Sequence, residues 1–99
     1  LMFVRDCLVH FSFEDIKKSI FRIKQSKSNY LLSTSFVNLK KNTDIYTGDW
    51  RPINLEKEPF NFPKPIITIN EECDEMDGIY SDKCICLWEI KELPDYFNL

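Results

Sequence analysis

The first 36 residues contain two strand-like apolar runs separated by one amphipathic stretch, and this order constrains the fold more than any other feature. Residues 1–5 open with Leu-Met-Phe-Val, and residues 30–36 open with Tyr-Leu-Leu. Continuous apolar strands are typical of sheets that are covered on both faces. Because a helix between two strands supplies a crossover connection, we expect the two strands to be parallel and the unit to be right-handed.

The stretch between these runs carries the signals of a single helix. Ser12 is a favourable N-cap, and Asp15 three residues later resembles a capping box. Apolar residues then recur at spacings of three and four, which predicts an amphipathic helix that ends near residues 25–28. Its apolar face consists of Phe13, Ile16, Ile20 and Ile23.

The remainder of the chain is predicted to be a long connection, a hairpin and a tail. Residues 37–65 contain most of the prolines and no helical period, but their many large apolar side chains should pack against the rest of the domain. Residues 66–90 hold two apolar strands joined without a helix, which predicts an antiparallel hairpin. We therefore divide one domain, 1–99, into a βαβ unit (1–36), the connection, the hairpin and a tail (91–99).

Composition and charge exclude several classes of protein. A chain of 99 residues makes one small domain. Its net charge of −3 and the lack of a basic block argue against a nucleic-acid partner. No apolar run approaches the ~20 residues that a membrane span requires, and no signal peptide is apparent. We expect a cytoplasmic protein without membrane association.

The four cysteines are interpreted as reduced thiols and not as metal ligands. Zinc sites favour paired ligands, and the only close pair is Cys84 and Cys86, which should share one face of a strand. No metal is therefore predicted. The alternative is a small metal-binding domain that uses Cys73, Cys84, Cys86 and His10.

Several segments resemble the C-terminal portion of class I S-adenosylmethionine-dependent methyltransferases. Residues 5–11, Arg-Asp-Cys-Leu-Val-His-Phe, are similar to the segment that leaves the fourth strand of that family. Residues 30–35 resemble its fifth strand. Residues 48–55, which begin Gly-Asp-Trp-Arg-Pro, and residues 59–63, Pro-Phe-Asn-Phe-Pro, are similar to a distinctive stretch of one uncharacterised subgroup. The resemblance extends to residues 82–88 and covers nearly the whole chain.

The resemblance implies an α/β fold, namely the C-terminal half of a Rossmann-like methyltransferase sheet. The full-length protein would use S-adenosylmethionine and methylate a small-molecule acceptor, which is left open among sugars, small metabolites, lipids and nucleotides. The chain has no Gly-x-Gly turn of the kind that holds the cofactor in this family. A fragment of this kind should be inactive alone. Because an apolar element begins at Leu1 without a cap or turn, we expect the natural protein to begin earlier. The alternative is an unusual N-terminal edge strand.

The resemblance places the cofactor and catalytic candidates just after the first strand. Ligands of doubly wound sheets bind at the carboxyl ends of the strands. Arg5 and Asp6 are therefore expected to line the cofactor side of the cleft, and Asp6 to orient the acceptor as a catalytic residue. His10, the only histidine, is a candidate general base. The structural alternatives are a surface ion pair between Arg5 and Asp6 and a backbone hydrogen bond from His10.

The long connection supplies the acceptor-binding candidates. Asp49, Trp50 and Arg51 combine an aromatic ring with a guanidinium, a pair that suits a planar or anionic acceptor. The structural alternative is a packed Trp50 with Arg51 paired to Asp49 or Glu56. Two interpretations of the whole chain compete with the enzyme fragment, namely the metal-binding domain and a non-catalytic, partner-binding subunit. Self-association through an uncovered sheet edge is a further expectation.

Overall fold

A computed structural model describes residues 1–72, 78, 80–95 and 97. Within these residues the chain forms an α/β fold with one four-stranded mixed sheet and one α-helix. Short 3-10 helices lie at Leu8–His10 and Ile90–Glu92. The main elements are β1 (Met2–Val4), α1 (Phe13–Gln25), β2 (Tyr30–Phe36), β3 (Ile67–Asn70) and β4 (Lys83–Glu89).

The sheet has the strand order β1-β2-β4-β3. β1 pairs with β2 in parallel, with Phe3 opposite Leu32, and this confirms the predicted pairing of the two strands that flank the helix. β3 and β4 form the predicted antiparallel hairpin, with Ile67 opposite Leu87. The sequence did not indicate that β4 inserts between β2 and β3, where Leu87 also pairs with Leu32.

The helix α1 begins at the predicted residue and buries the predicted apolar side chains. Ser12 is its N-cap and accepts a 3.1 Å hydrogen bond from the Asp15 backbone N–H. Ile16, Ile20 and Ile23 are buried, because residues three and four apart share one face of a helix. The helix covers one face of the sheet. Alternate residues of β4 point from that face into the core.

The core therefore lies between α1, the long connection and one face of the sheet. The strands alternate, so residues at even positions of β4 point inward and its odd positions point to the other side. The core residues of β4 are Cys84, Cys86 and Trp88. The largest fully buried side chains include Trp88, Phe36, Phe60, Ile16, Ile20, Leu31, Ile53 and Leu55.

The opposite face of the sheet is apolar and uncovered by any described residue over most of its area. We call it the open face. Cross-strand partners lie on the same side of a sheet, so the pairings define its members directly. It consists of Phe3 from β1, Tyr30 and Leu32 from β2, Ile67 and Ile69 from β3, and Ile85 and Leu87 from β4.

The long connection has hardly any regular secondary structure, yet it is part of the core. Ile53, Leu55 and Phe60 are fully buried. The backbone N–H of Phe36 donates to the Ile53 carbonyl at 2.8 Å, so the connection continues the hydrogen bonding beyond the end of β1. The predicted packing of this segment against the domain is confirmed.

The segment after β4 also contributes to the core. Leu93 and Phe97 are buried, and the Phe97 ring meets the Phe60 ring at 5.8 Å between centroids. The predicted tail is thus partly packed, although Tyr96, Asn98 and Leu99 lie outside the described residues. No described helix has both the length and the apolar character needed to span a bilayer.

Candidate functional site

The candidate site lies at the carboxyl ends of β1 and β2. There the chain leaves β1 and enters the segment that leads to α1. Asp6 adopts a positive φ of 53°, a conformation that is uncommon for residues other than glycine. Its backbone N–H donates to the Thr34 hydroxyl at 3.0 Å. This bond turns the chain sharply over the end of β2 and holds the Asp6 carboxylate at the sheet edge.

Asp6 belongs to a four-membered ion-pair cluster that also contains Arg5, Glu71 and Lys83. Lys83 Nζ lies 2.7 Å from Asp6 Oδ1 and 3.3 Å from Glu71 Oε2. Arg5 Nε donates to Glu71 Oε1 at 2.9 Å and lies 3.8 Å from Asp6 Oδ2. The predicted pair of Arg5 and Asp6 is therefore present, but each residue has a closer partner of opposite charge.

The protonated state of Lys83 is favoured inside this cluster. Burial by itself lowers the pKa of the Lys83 ammonium, but hydrogen bonds to Asp6 and Glu71 and the charges of both carboxylates outweigh it. The net result is a pKa above the ordinary lysine value. Lys83 thus keeps its positive charge and pairs with the Asp6 side chain at the end of β1.

His10 ends the 3-10 helix that follows Asp6, and the long connection sets its tautomer. His10 Nδ1 lies 3.0 Å from the Asp49 carbonyl oxygen. A carbonyl only accepts hydrogen bonds, so Nδ1 carries the proton and Nε2 carries the free lone pair. The Gly48 backbone N–H also donates to the His10 carbonyl at 2.8 Å. The imidazole is exposed, and its hydrogen bond to the described residues uses Nδ1 and not Nε2.

Trp50 packs at the end of β2 as one member of an aromatic cluster. Its ring lies 6.3 Å from that of Phe36, the last residue of β2, and 5.1 Å from that of Tyr80. All three rings meet edge to face, the arrangement that their quadrupoles favour. Trp50 remains 43% exposed, so part of its ring is available to a ligand at this edge.

Arg51 has a different environment from its two neighbours. Its guanidinium is buried and donates to four backbone carbonyls, those of Thr43, Leu8, Val9 and Phe11, at 2.7 to 3.2 Å. Desolvation lowers its pKa, and the nearby Asp44 charge opposes that effect. Neither Asp49 nor Glu56 pairs with it among these contacts. These hydrogen bonds occupy the guanidinium. Arg51 therefore acts as a structural clamp that joins the long connection to the turn after β1.

The described residues do not by themselves form a cradle for S-adenosylmethionine. A Gly-rich cradle would place ligand or backbone where a Cβ would otherwise stand. At both Gly48 and Gly78 a Cβ would meet nothing within 4 Å. Arg5 and Asp6 are the only predicted cofactor-side residues, and both are engaged in the ion-pair cluster. The cofactor therefore does not fit this set of residues alone.

A metal-binding site is likewise not assembled from the described part of the chain, where no three His, Cys, Asp or Glu side chains group suitably. Cys84 and Cys86 are buried on the core side of β4. Burial raises the pKa of the Cys86 thiol to about 11, whereas zinc binds thiolates. Cys73, the third cysteine of the predicted cluster, lies outside the described residues.

The structure brings together part of the predicted site and adds residues that the sequence did not select. His10 contacts the Asp49 carbonyl, and the neighbouring Trp50 packs on Phe36 at the end of β2. Arg5 and Asp6 lie in the separate ion-pair cluster, and their contacts among the described residues do not include His10. Lys83 and Glu71 were not selected because they are distant in sequence from β1, and only the strand order brings them to Asp6. Tyr80 carried no signal in the sequence, and only the structure shows that the Thr34 hydroxyl near the end of β2 accepts from the Asp6 backbone.

Comparison with known proteins adds no relative to these observations, since no protein-family model, curated protein or solved structure matches the chain. The function is therefore argued from the geometry of the site.

Proposed function

We propose that this chain is the acceptor side of the active cleft of a class I S-adenosylmethionine-dependent methyltransferase, a Rossmann-like enzyme of the cytoplasm. The supporting fold feature is the parallel β1-α1-β2 unit followed by a long connection and an antiparallel hairpin. This is the order of elements that the sequence resemblance implies. The metal-binding alternative finds no support in the described residues.

The single observation that carries the proposal is the position of Asp6, which follows the carboxyl end of β1 and donates its backbone N–H to Thr34 near the end of the parallel strand β2. Sites of open α/β sheets form at such ends. The long connection brings Asp49 against His10 and seats Trp50 on the last residue of β2. The turn after β1 thus supplies a carboxylate, and the segments that follow β1 and β2 supply an imidazole and a partly exposed aromatic ring.

The groups at this edge suit the removal of a proton from an acceptor that is held in position. S-adenosylmethionine, when bound, supplies an activated methyl group, so positioning and proton removal are the remaining tasks of the protein. His10 Nε2 accepts the proton from an acceptor hydroxyl or amine. Asp6, held in place by Lys83, accepts a hydrogen bond from the acceptor and orients it.

The acceptor is held by the aromatic cluster in this proposal. The exposed part of Trp50 offers an apolar surface for a planar or apolar portion of a small molecule. Arg51 contributes indirectly, because it fixes the connection that carries Trp50 and Asp49. The cofactor-binding groups come from elsewhere in the full-length protein, in keeping with the lack of a glycine cradle in the described residues.

Two calorimetric titrations with S-adenosylmethionine test the proposal. The protein encoded by the whole reading frame is expected to bind the cofactor with micromolar affinity or better, whereas the 99-residue chain alone should not. Micromolar binding by the isolated chain would contradict the assignment of the cofactor site to other residues. Lack of binding by the product of the whole reading frame would contradict the enzyme proposal itself.

Substitutions in the full-length protein test the assigned roles. His10→Gln is expected to lower the rate of methyl transfer by about 100-fold, the usual contribution of a positioned base. Asp6→Asn should cause a similar loss. Arg22→Gln, on the exposed side of α1, is the matched control and should leave the rate unchanged. An unchanged rate in both site variants would remove these residues from the mechanism.

A further inference from the structure

A cavity of about 270 Å³ lies beside the aromatic cluster, at the carboxyl end of β2. Phe36 and Tyr80 belong to the aromatic cluster and also line this cavity. Neither Asp6 nor His10 is among its described lining residues, so the roles assigned above leave the cavity unexplained. The remaining lining residues are Asn38, Leu39, Pro52, Ser81 and Asp82.

We propose that this cavity binds a planar ring that carries a protonated amino group, with the ring on Tyr80 and Pro52 and the amino group on Asp82. The identification of this ligand as the methyl acceptor rests on the proposed function, whereas its binding does not. The proposal narrows the acceptor class, because it states the charge that this end of the sheet selects. The amino group serves for recognition, and no bond to it forms or breaks.

The apolar walls of the cavity suit a single ring. Tyr80 and Pro52 are partly exposed, so each leaves some of its ring accessible to a ligand. Phe36 is buried and packs edge to face on Tyr80 with 5.8 Å between the ring centroids, which holds the tyrosine ring in position. Ligand pockets begin at about 300 Å³, so a cavity of this volume accommodates one ring with a short substituent.

Asp82 is the only charged side chain among the described residues that line the cavity. Its Oδ2 accepts a hydrogen bond from the Asn38 backbone N–H at 3.1 Å, and its carbonyl oxygen accepts from the Val37 N–H at 3.3 Å. These bonds fix the carboxylate beside the cavity. None of the ion pairs between described residues includes Asp82. An ammonium group of a ligand therefore finds a positioned carboxylate without a competing cation from these pairs.

The surroundings of Asp82 favour a cationic ligand over an anionic one of the same shape. The next residue, Lys83, is already paired with Asp6 and Glu71. The negative charge of Asp82 also reaches Cys84, where it adds to burial, the main cause, in raising the pKa of the thiol. A cationic ring gains from this charge and from the face of Tyr80, whereas an anionic ring is repelled.

Titrations of the 99-residue chain with three small ligands of similar size test the proposal. The probes are benzylamine, benzyl alcohol and benzoate, which are cationic, neutral and anionic at neutral pH. Binding is followed by the NMR shifts of backbone amides. Benzylamine is expected to bind at least about tenfold more tightly than benzoate, with benzyl alcohol between them, and to shift the amides of Asn38, Ser81 and Asp82 most. Equal affinities, no binding of benzylamine, or shifts elsewhere in the chain would overturn the proposal.

A substitution at Asp82 assigns the selectivity to one carboxylate. Asp82→Asn removes the charge but keeps a side-chain oxygen that accepts from the Asn38 N–H, so the local structure is retained. The variant should bind benzylamine at least about fivefold more weakly and benzyl alcohol as before. Glu14→Gln, at an exposed position of α1, is the matched control and should change neither affinity. Unchanged benzylamine binding by Asp82→Asn would remove Asp82 from the site.

These titrations fail or succeed independently of the enzyme proposal, because they need neither S-adenosylmethionine nor the rest of the reading frame. If the product of the whole reading frame binds the cofactor but the chain does not bind benzylamine, the enzyme proposal stands and this inference is wrong. If the chain binds benzylamine through Asp82 but the whole product does not bind the cofactor, the cavity is a binding site for a cationic ring that is not a methyl acceptor.

Discussion

At the scale of single residues, the most informative side chains are polar groups that the fold has placed inside. Arg51 is 6% exposed and donates to four backbone carbonyls, while its guanidinium carbon lies 5.4 Å from the centre of the Phe13 ring. Its neighbours Asp49 and Trp50 remain largely exposed. The sequence suggested the same binding role for all three adjacent residues. In the structure, Arg51 is a structural clamp, and Asp49 and Trp50 remain candidates for binding.

Replacement of Arg51 is expected to destabilise the protein strongly. Arg51→Met keeps much of the apolar stem but removes the side-chain donor of four backbone carbonyls. Those of Leu8 and Val9 still accept from backbone N–H groups, whereas those of Thr43 and Phe11 lose the guanidinium donor, and each partly buried group without a partner is costly. We expect the free energy of unfolding, measured by urea denaturation, to fall by about 3–5 kcal/mol. Arg22→Met, on the exposed side of α1, should change it by less than about 0.5 kcal/mol. Equal small effects of both substitutions would refute the clamp.

At the scale of elements, the long connection shows how an irregular segment can be rigid. Asn42 Nδ2 donates to the Asn54 and Glu58 carbonyls at 2.8 and 2.9 Å, and its Oδ1 accepts from the Asn54 backbone N–H at 2.7 Å. Asn54 Nδ2 in turn donates to the carbonyls of Leu39 and Val37. These two buried amides replace the hydrogen bonds that a helix or a sheet would otherwise supply.

Loss of one amide should loosen the whole connection. Asn54→Ala removes the donor to two carbonyls and the acceptor of the Glu56 backbone N–H, which should lower stability by about 2–4 kcal/mol. Limited proteolysis should leave residues 38–65 intact in the parent protein and cleave them rapidly in the variant, because cleavage follows local opening. Asn38→Ala, where the side chain is exposed, serves as the control. Rapid cleavage of the parent protein would show that the amides do not hold the segment.

The order of the strands determines which residues surround Asp6. β4 pairs with β2 on one side and β3 on the other, so Lys83 at its start lies next to Asp6 after β1. The helix α1 is capped and amphipathic from local sequence alone. The position of β4, in contrast, depends on which strands bury each other's side chains.

At the scale of the whole molecule, the buried thiols link stability to pH. Desolvation by burial raises the pKa of Cys86 from 9.0 to about 11, opposed by a hydrogen bond to Thr68 and assisted by the charges of Cys84 and Glu56. The unfolded chain releases this proton near pH 9, and the folded chain releases it near pH 11. Protonation therefore contributes stability that is fully present below pH 9 and is lost as the pH rises towards 11.

This linkage can be measured by comparing Cys86→Ala with the parent protein. Urea unfolding at several values between pH 8 and pH 11 should show a steeper loss of stability in the parent, because only the parent must ionise a buried thiol at position 86. The difference in unfolding free energy between the two proteins should shrink as the pH rises. Lys83 is present in both proteins, so its titration cancels. A difference that is independent of pH would contradict the linkage.

The sequence by itself determined the elements of this protein and the pairing of neighbouring ones. The apolar runs predicted four strands, and Ser12 with the spacing of Ile16, Ile20 and Ile23 predicted the helix. The parallel and antiparallel pairings followed from the presence or absence of a helix between strands. These properties depend on local periodicity and chain connectivity, which a sequence displays directly.

Only the tertiary structure decided the strand order, the role of Arg51 and the environment of Asp6. Each of these depends on contacts between residues far apart in the chain, such as Asp6 with Lys83 or Arg51 with Leu8. The local pattern of apolar and polar residues does not predict such contacts. The open face was also hidden, because an apolar residue in a strand looks the same whether or not something covers it. Burial is a property of the packed molecule, since it depends on which other elements reach that surface.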